Sequence, residues 1–496
     1  MIVELGVVLA YLLVALIIGV LAYRVTTRSA EDYYLASRSM GTVVLLFTTF
    51  ATLLSAFTFF GGPNVAYGAG PEWILVMGLM DGVLFGVLWY LLGYKQWLAG
   101  RAHGYVTLGE MLGDRFGSTG LRGLVAVVSL FWLFPYVMLQ QMGAGTALVA
   151  LTDGGVQYWQ GALLVTVFMV AYVAAAGMRG VAWTDTLQGV FMLGMVWAAF
   201  AWVATTLGGP VAATEQMIAT NPDFGTLGGG LYTPQYVIST AVSIAFGVTM
   251  FPQVNQRFFV GRSETVLKRS FVLWPVLCIL LFVPAFLVGS WAISLDIVVP
   301  DNANVLPIVL NAVSPGWFAA LVVAGALAAM MSSSDSMLLS GSSYVTRDLY
   351  RPFVNPDASE RTEDTLGRAA VAVFAFGAFL ASLTRPGTLV SVGSTAFSGF
   401  AQLALPVALA LYWRNTTRTG IIAGVAGSQV FYLATIFAPE LVVSGVPIIA
   451  GSYYGWGSGV VGMLVGLLLT IGVSLVTTTA STEDATLLFE TLGTDN

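Results

Sequence analysis

The chain has 496 residues, of which 57% are hydrophobic and only 9% are charged, and its mean hydropathy is +0.85. A soluble domain carries about 25% charged residues, so this composition excludes an ordinary soluble protein and indicates an integral membrane protein. The net charge is −6, and because Cys278 is the only cysteine, a disulfide framework and a cysteine metal site are excluded as well.

Apolar stretches recur along the whole chain. A helix needs about 20 residues to cross the hydrocarbon core of a bilayer, which is about 30 Å thick. We count about 13 stretches of this length and therefore predict an all-α integral membrane protein. The predicted spans cover residues 2–23, 41–68, 72–94, 123–151, 158–178, 182–207, 236–256, 271–296, 316–344, 369–384, 388–412, 419–438 and 455–478.

The basic residues predict the orientation in the cell membrane. No basic segment precedes the first span and no small-residue cleavage site follows it, so we interpret it as a transmembrane helix rather than a signal peptide. With the N-terminus outside, all but one of the 19 Lys and Arg residues fall in cytoplasmic connections, and only Arg385 lies outside. Because basic residues accumulate in cytoplasmic loops, the C-terminus should be cytoplasmic. This count places no basic residue within the core of a span.

The second span is interrupted by small and hydroxyl residues that lead into Gly61-Gly62-Pro63. Proline removes a backbone donor and glycine adds backbone freedom, so a regular helix throughout 41–68 is not expected. Non-helical backbone at membrane depth is tolerated where it lines a cavity, and its carbonyl groups are then available to a cation. A kink that serves only helix packing is the alternative interpretation.

The third span carries Asp81 near its middle. An unpaired charge at this depth is costly, so we expect this carboxyl group to be protonated, paired or exposed to a water-filled cavity. The sequence leaves open whether Asp81 takes part in transport.

The seventh span repeats the pattern of the second. Gly247 and Pro252 interrupt it, and the polar residues Gln253, Asn255 and Gln256 follow. Two interrupted helices that lie five spans apart indicate an inverted repeat with a binding site near the middle of the bilayer.

The ninth span contains seven serines between Ser332 and Ser343, together with Asp335, in an otherwise apolar sequence. On a helix, residues 329, 332, 333, 336 and 340 share one face. Polar side chains inside a membrane are costly and indicate an ion or substrate path. This face predicts a sodium site.

Three segments of the chain resemble the sodium:solute symporter family. They are Ser55-Ala-Phe-Thr-Phe-Phe-Gly, Gly180-Val-Ala-Trp-Thr-Asp-Thr-Leu-Gln, and Ala328-Ala-Met-Met-Ser-Ser-Ser-Asp-Ser followed by Arg347-Asp-Leu-Tyr. The resemblance implies a single transport domain with a LeuT-like fold, in which two inverted five-helix repeats correspond to residues 41–207 and 236–412. One extra helix within 1–40 precedes them, two helices within 413–478 follow, and 479–496 form an acidic cytoplasmic tail.

The resemblance also implies one sodium site. Family members hold sodium with two carbonyl groups of the broken first core helix and with one carbonyl and two hydroxyl groups of the eighth. In this chain those ligands are the carbonyl groups of Ala51, Leu54 and Ala329 and the hydroxyl groups of Ser332 and Ser333. Five neutral oxygens suit Na⁺. The alternative is that both serines only bond to carbonyl groups of their own helix.

Two carboxylates are expected along the inner exit path of the ion. Asp185 lies in the Trp-Thr-Asp motif, where family members use the aspartate along this path. Asp335 follows the second serine ligand by two residues and is expected to serve the same exit. A purely structural hydrogen bond is the alternative for each.

Replacements relative to the family's proline symporters disfavour proline as the substrate. Leu53 stands where those proteins have an aspartate that is important for sodium, and Ile244 and Val248 replace their Trp and Tyr. The segments Phe134-Pro-Tyr-Val-Met-Leu-Gln-Gln-Met-Gly and Met250-Phe-Pro-Gln are instead similar to the family's monocarboxylate permeases.

This second resemblance implies the residues that contact the substrate. They are Ser55, Tyr136, Gln140 and Gln253, and Gln141 is a further candidate. Free backbone amides at the broken helix would also attract an anion. Tight helix packing is the alternative role for the glutamines.

These features predict a sodium-coupled symporter that imports a small organic solute, specifically a monocarboxylate, by alternating access. The alternatives are a sodium symporter for an amino acid or a sugar, an uncoupled facilitator or channel, and a solute sensor. The sequence shows no catalytic constellation and no nucleotide-binding glycine loop, so we predict neither an enzyme nor an ATP-driven pump. We expect Na⁺ as the coupling ion and the solute and lipid as partners, without nucleic acid or an obligatory protein partner.

Overall fold

The computed structural model describes residues 2–23, 34–300, 303–437 and 455–478. Within these ranges the chain forms helices and loops and contains no β-strand. A helix satisfies its backbone hydrogen bonds internally, which is what a lipid environment requires of a spanning segment. The predicted acidic tail, 479–496, lies outside the described residues.

Apart from two short 3-10 helices, the described residues form eighteen helices. Gly177 has non-helical backbone angles (φ 58°, ψ −160°) and divides the stretch Tyr158–Thr206 into two of them. The first nine are α1 (Ile2–Tyr23), α2 (Thr42–Leu53), α3 (Phe57–Ala69), α4 (Leu75–His103), α5 (Leu108–Arg115), α6 (Thr119–Leu151), α7 (Tyr158–Ala171), α8 (Gly180–Thr206) and α9 (Pro210–Thr220). The others are α10 (Pro234–Thr249), α11 (Pro252–Val260), α12 (Glu264–Ser294), α13 (Val305–Val313), α14 (Gly316–Phe353), α15 (Glu360–Ser382), α16 (Leu389–Tyr412), α17 (Arg418–Phe437) and α18 (Ser458–Val476).

The length and composition of these helices support the prediction of a multi-pass membrane protein. Among the described residues, 10 helices are long and apolar enough to cross a membrane, and the bent pairs α2–α3 and α10–α11 bring the number to as many as 12. The predicted span 158–178 corresponds to the shorter apolar helix α7. The all-α architecture is therefore confirmed, whereas the count of 13 spans stays a prediction.

Both predicted interruptions are present as bends. The angle is 61° between α2 and α3 and 55° between α10 and α11. In the second pair, Phe251 is extended because the ring of Pro252 disfavours helical backbone at the preceding residue. Each bend leaves backbone groups at the helix ends without partners in their own helix.

The first bend lies at Leu54, which is extended (φ −82°, ψ 122°), rather than at Gly61-Gly62-Pro63. The two glycines are helical, and they permit close packing instead. A Cβ atom on Gly62 would lie 2.0 Å from the ring of Phe286, and one on Gly289 would lie 2.4 Å from the carbonyl oxygen of Pro63. The small residues therefore let α3 and α12 approach each other.

The serine-rich helix α14 lies at the centre of the protein. It packs against α1, α2, α6, α8, α11 and α15. In the apolar 18-residue stretch of α14, 83% is buried inside the protein. The corresponding value for the peripheral helix α1 is 22%. The hydroxyl groups of α14 are therefore kept away from lipid, and those of Ser332, Ser333 and Ser336 have polar partners on neighbouring helices.

An ion-pair network ties α5, α6 and the end of α14 together. Glu110 Oε1 accepts hydrogen bonds from Arg347 Nε at 2.6 Å and from Arg122 Nη2 at 3.0 Å, and Arg122 Nε pairs with Asp348 Oδ1 at 2.7 Å. Burial opposes ionisation of Glu110, but the charges of Arg347 and Arg122 outweigh it and hold the pKa of this carboxyl below its ordinary value. The network fixes one end of α14 against its neighbours.

Single-cysteine labelling tests the predicted orientation. Leu227, which is 80% exposed, and Asn415, which is also exposed, lie in loops predicted to face opposite sides of the membrane. In intact cells, Leu227→Cys should react with an impermeant maleimide and Asn415→Cys should react only after permeabilisation. The buried Cys278 gives a low background, and Leu227 is preferable to Gly228, whose φ of 78° would strain a cysteine. The reverse pattern would overturn the topology.

Candidate ion and substrate site

The residues predicted to bind sodium come together where α2 ends against the middle of α14. Ser332 Oγ donates to the carbonyl oxygens of Ala51 at 2.8 Å and Ala329 at 3.0 Å. Ser333 Oγ donates to the carbonyl oxygen of Leu54 at 2.6 Å. All five residues are at most 1% exposed. They form what we call the five-oxygen cluster.

The bend after α2 explains why these carbonyl groups are available. The last carbonyl groups of a helix have no partner within it, and the extended backbone of Leu54 separates α2 from α3. The hydroxyl group of Ser333 bonds to the end of α2, and that of Ser332 bonds both to α2 and to its own helix. The two serines therefore do not bond only to carbonyl groups of α14. The donor set of three carbonyl and two hydroxyl oxygens fits Na⁺, because each hydroxyl oxygen can accept a cation with its lone pairs.

A second polar cluster lies one helical turn further along α14. Arg257 Nη2 donates to Asp185 Oδ2 at 3.1 Å, to Ser336 Oγ at 2.5 Å and to Thr48 Oγ1 at 3.2 Å. Thr48 Oγ1 donates to Asp185 Oδ2 at 2.6 Å, and Thr52 Oγ1 lies 2.8 Å from Ser336 Oγ. This arginine–aspartate cluster joins α2, α8, α11 and α14.

Arg257 was predicted to lie in a cytoplasmic connection, and this prediction is wrong. The side chains of Arg257 and Asp185 are 1% and 0% exposed, and α11 continues beyond Arg257 inside the protein. A buried arginine is tolerated here because a carboxylate neutralises it and hydroxyl groups take its remaining hydrogen bonds. The only sequence signal was the polar composition of the segment after Pro252.

The second predicted exit carboxylate, Asp335, is also fully buried. It lies within electrostatic range of Arg257 and of Tyr11 in the extra first helix. Tyr11 Oη in turn accepts a hydrogen bond from Gln188 Nε2 at 2.7 Å. The arginine–aspartate cluster therefore has a second acidic group nearby, and α1 reaches toward it.

The predicted substrate residues have distinct surroundings. Ser55 Oγ lies 2.9 Å from Tyr136 Oη, at the break between α2 and α3. Gln140 Oε1 accepts from the backbone N–H of Ala56 at 2.9 Å, so it occupies an amide that was expected to be free for an anion. Gln141 Nε2 donates to Thr166 Oγ1 and so contacts α7, which favours its packing role.

Gln253 differs from the other glutamines. It is fully buried, and neither amide atom has a hydrogen-bond partner among the residues that the structure describes. A buried amide without partners is unfavourable, so this side chain is available to a ligand or to water.

A closed cavity of about 20 Å³ lies beside the five-oxygen cluster. This central cavity has room for about one water molecule, so a solute can enter only when the surrounding helices move apart. Tyr136 and Thr58 supply hydroxyl groups to its wall, which is otherwise apolar. The remaining lining residues are Leu53, Leu54, Phe57, Met77, Phe85, Ile244, Val248, Trp274, Phe282 and Phe397.

Several known proteins are similar to this chain over most of their length. A sodium/pantothenate symporter of Escherichia coli (strain K12) is 29% identical over 469 residues, covering 90% of this chain and 95% of that protein. A sodium/proline symporter of Haemophilus influenzae is 29% identical over 463 residues and 87% of each chain. A monocarboxylate transport permease protein of Rhizobium johnstonii is 23% identical over 365 residues and 73% of each chain.

The fold is similar to that of a Na⁺-coupled sialic acid symporter solved in a substrate-bound outward-open state. The TM-score is 0.78 at 19% sequence identity, with 97% of this chain and 99% of that chain covered, and the likeness confirms the LeuT-type fold. The model of the sodium:solute symporter family matches residues 33–427, which is most of the chain. With its broken helices and serine-rich α14, this protein therefore belongs to the sodium:solute symporter family.

Proposed function

We propose that the protein imports a small solute with one carboxylate group together with Na⁺ by alternating access. The observation that carries the proposal is the five-oxygen cluster, in which Ser332 and Ser333 of α14 bridge to the broken end of α2. A cation held there would tie the two helices together. The membership in the sodium:solute symporter family supports Na⁺ as that cation.

Leu54 gives a direct physical link between ion and solute. Its carbonyl oxygen belongs to the five-oxygen cluster, and the same residue lines the central cavity. Sodium would therefore order the backbone that forms one wall of the cavity. The next residue, Ser55, holds Tyr136 of the same wall. Because coupling between two sites is reciprocal, the solute should also strengthen sodium binding.

The electrostatics of the two sites favour an anionic solute that binds together with Na⁺. All five ligands of the proposed sodium site are neutral, so they leave the positive charge of the ion uncompensated. The described residues that line the central cavity include no charged side chain. Arg257 is held by Asp185 and does not line the cavity, so the carboxylate of the solute would be balanced by Na⁺ and by backbone dipoles.

The relatives support the same chemistry, because pantothenate and proline each carry one carboxylate group, as monocarboxylates do. Proline itself is disfavoured by the wall of the cavity. Leu53, Ile244 and Val248, the residues that replace those of the proline symporters, all line it and offer only aliphatic surface. We therefore propose an apolar or weakly polar monocarboxylate.

Binding measurements test the substrate class. Labelled acetate, propionate, lactate, pyruvate and pantothenate should bind more tightly as NaCl replaces choline chloride at constant ionic strength, since bound Na⁺ supplies the opposite charge. Proline and glucose serve as controls for an amino acid and a sugar. If none of the five labelled acids binds at any sodium level while proline or glucose does, the proposed substrate class is wrong. Uptake without a sodium gradient at an unchanged rate would favour a facilitator instead.

A further inference from the structure

Asp81 is a buried carboxyl group that the proposed mechanism does not use. It is 0% exposed and directly follows the π-helical turn Leu75–Met80 with which α4 begins. Neither carboxyl oxygen has a hydrogen-bond partner within the described part of the chain. An ionised carboxylate without a partner in an apolar interior or inside a membrane costs roughly several kcal/mol of free energy.

The position of Asp81 is directly behind the wall of the central cavity. Met77 and Phe85, one turn before and one turn after it, both line that cavity. On the facing helix α12, Trp274 and Phe282 line the same cavity, and Cys278 lies midway between them. Asp81 and Cys278 therefore occupy equivalent positions on two helices that meet at the cavity.

The seam between α4 and α12 is closed in this conformation. A Cβ atom on Gly82 would lie 3.2 Å from the Cβ of Cys278 and 3.5 Å from the Cα of Pro275. Cys278 is 1% exposed, so its thiol is shielded from water as the carboxyl group of Asp81 is. Water therefore reaches Asp81 only when α4 and α12 separate, which is the kind of movement that must also admit a solute to the cavity.

A proton is the cation that fits this position. The described residues contain no group of three or more His, Cys, Asp or Glu side chains that could hold a metal ion. Cys278 packs against Gly82, the residue after Asp81, and the other titratable or charged side chains of the elements packed against this part of α4 lie toward helix ends or on the surface. Those other residues are Tyr90, Tyr236, Glu264, Lys268 and Arg269.

We propose that Asp81 is a proton-binding site that is loaded when the central cavity is closed and exchanges its proton with water when α4 and α12 separate. In the open state the O–H bond breaks and the proton passes to water, leaving a hydrated carboxylate. The carboxylate takes a proton back before the seam closes. This proposal rests on the proposed transport function, because it assigns the proton to the closing step of the same cycle.

The first test measures the protonation of Asp81 without any transported solute. Infrared difference spectra of wild type minus Asp81→Asn in nanodiscs, without solute, should contain the carbonyl band of a protonated carboxylic acid at neutral pH. Asp223→Asn, which changes an exposed acid, should show no such band. Absence of the band for Asp81 would overturn the proposal. Failure of transport would leave this result intact, so the two proposals can fail separately.

The second test follows the transport cycle. We expect wild-type uptake to fall as pH rises from about 6 to about 9, because the hydrated carboxylate then regains its proton more slowly. Asn resembles the protonated acid, so Asp81→Asn should keep sodium-driven uptake and should lose this fall. Asp223→Asn should keep the wild-type profile. Equal pH profiles in wild type and Asp81→Asn would contradict the proposal.

The single native cysteine reports on the seam itself. Labelling of Cys278 by a membrane-permeant maleimide should be slow when the cavity is closed. It should become several-fold faster under ion and solute conditions that open the cavity. A thiol that stays unreactive under every condition would show that Asp81 never meets water, and this also would overturn the proposal.

Discussion

Replacing Ser333 or Ser332 by alanine is expected to raise the sodium concentration that gives half-maximal uptake by roughly tenfold or more. Each substitution removes one of five oxygens from the proposed sodium site, and a hydrogen-bond-type contact to a charge contributes about 1.5–3 kcal/mol. Ser333 is the sharper test, because its hydroxyl group contacts Leu54, which also lines the central cavity. Uptake into proteoliposomes over a range of sodium concentrations measures the effect.

Ser334 provides a matched control for these variants. It is adjacent in sequence, equally buried, and its hydroxyl group has no hydrogen-bond partner among the described residues. Ser334→Ala should therefore keep the sodium dependence of wild type while removing the same atom from the same helix. If all three variants respond to sodium as wild type does, the assignment of the five-oxygen cluster to sodium is wrong.

Breaking the buried pair between Arg257 and Asp185 should cost more stability than any exposed pair. Removing one partner of a buried ion pair typically costs about 3–5 kcal/mol, because the other charge is left without compensation. Arg257→Gln and Asp185→Asn are each expected to lower the thermal unfolding midpoint strongly. The double variant removes both charges and should recover much of the lost stability. Thermal unfolding in detergent measures these differences.

Transport by the double variant separates a structural role from a role on the ion path. If the pair is only structural, uptake should return together with stability. If Asp185 guides the ion, stability should return while sodium-driven uptake stays low. Lys268→Gln is the control, since Lys268 and Glu264 form an exposed pair whose loss should change stability little. Equal and small effects at both pairs would contradict the importance of the buried cluster.

The membrane class, the helical architecture and the place of the proposed ion site could all be predicted from the amino-acid sequence. These features are local. Apolar length specifies a spanning helix, and the proline in 252–260 specifies a bend where the structure has one. The serines of 332–343 mark polar side chains that must face protein rather than lipid. The resemblance to the family then paired Ser332 and Ser333 with Ala51 and Leu54, and the structure brings these residues into contact.

Which polar groups meet across the helix bundle depends on tertiary packing and could not be predicted from the sequence. Arg257 had the sequence position of a loop residue, and its burial follows from a carboxylate on another helix 72 positions away. The role of Gln140 depends on a backbone amide 84 positions away. The first bend lies at Leu54, whereas Gly62 and Gly289 serve the close packing of α3 against α12. Burial stabilises or destabilises a polar side chain according to its partners, and those partners are set by helix packing over long separations in sequence.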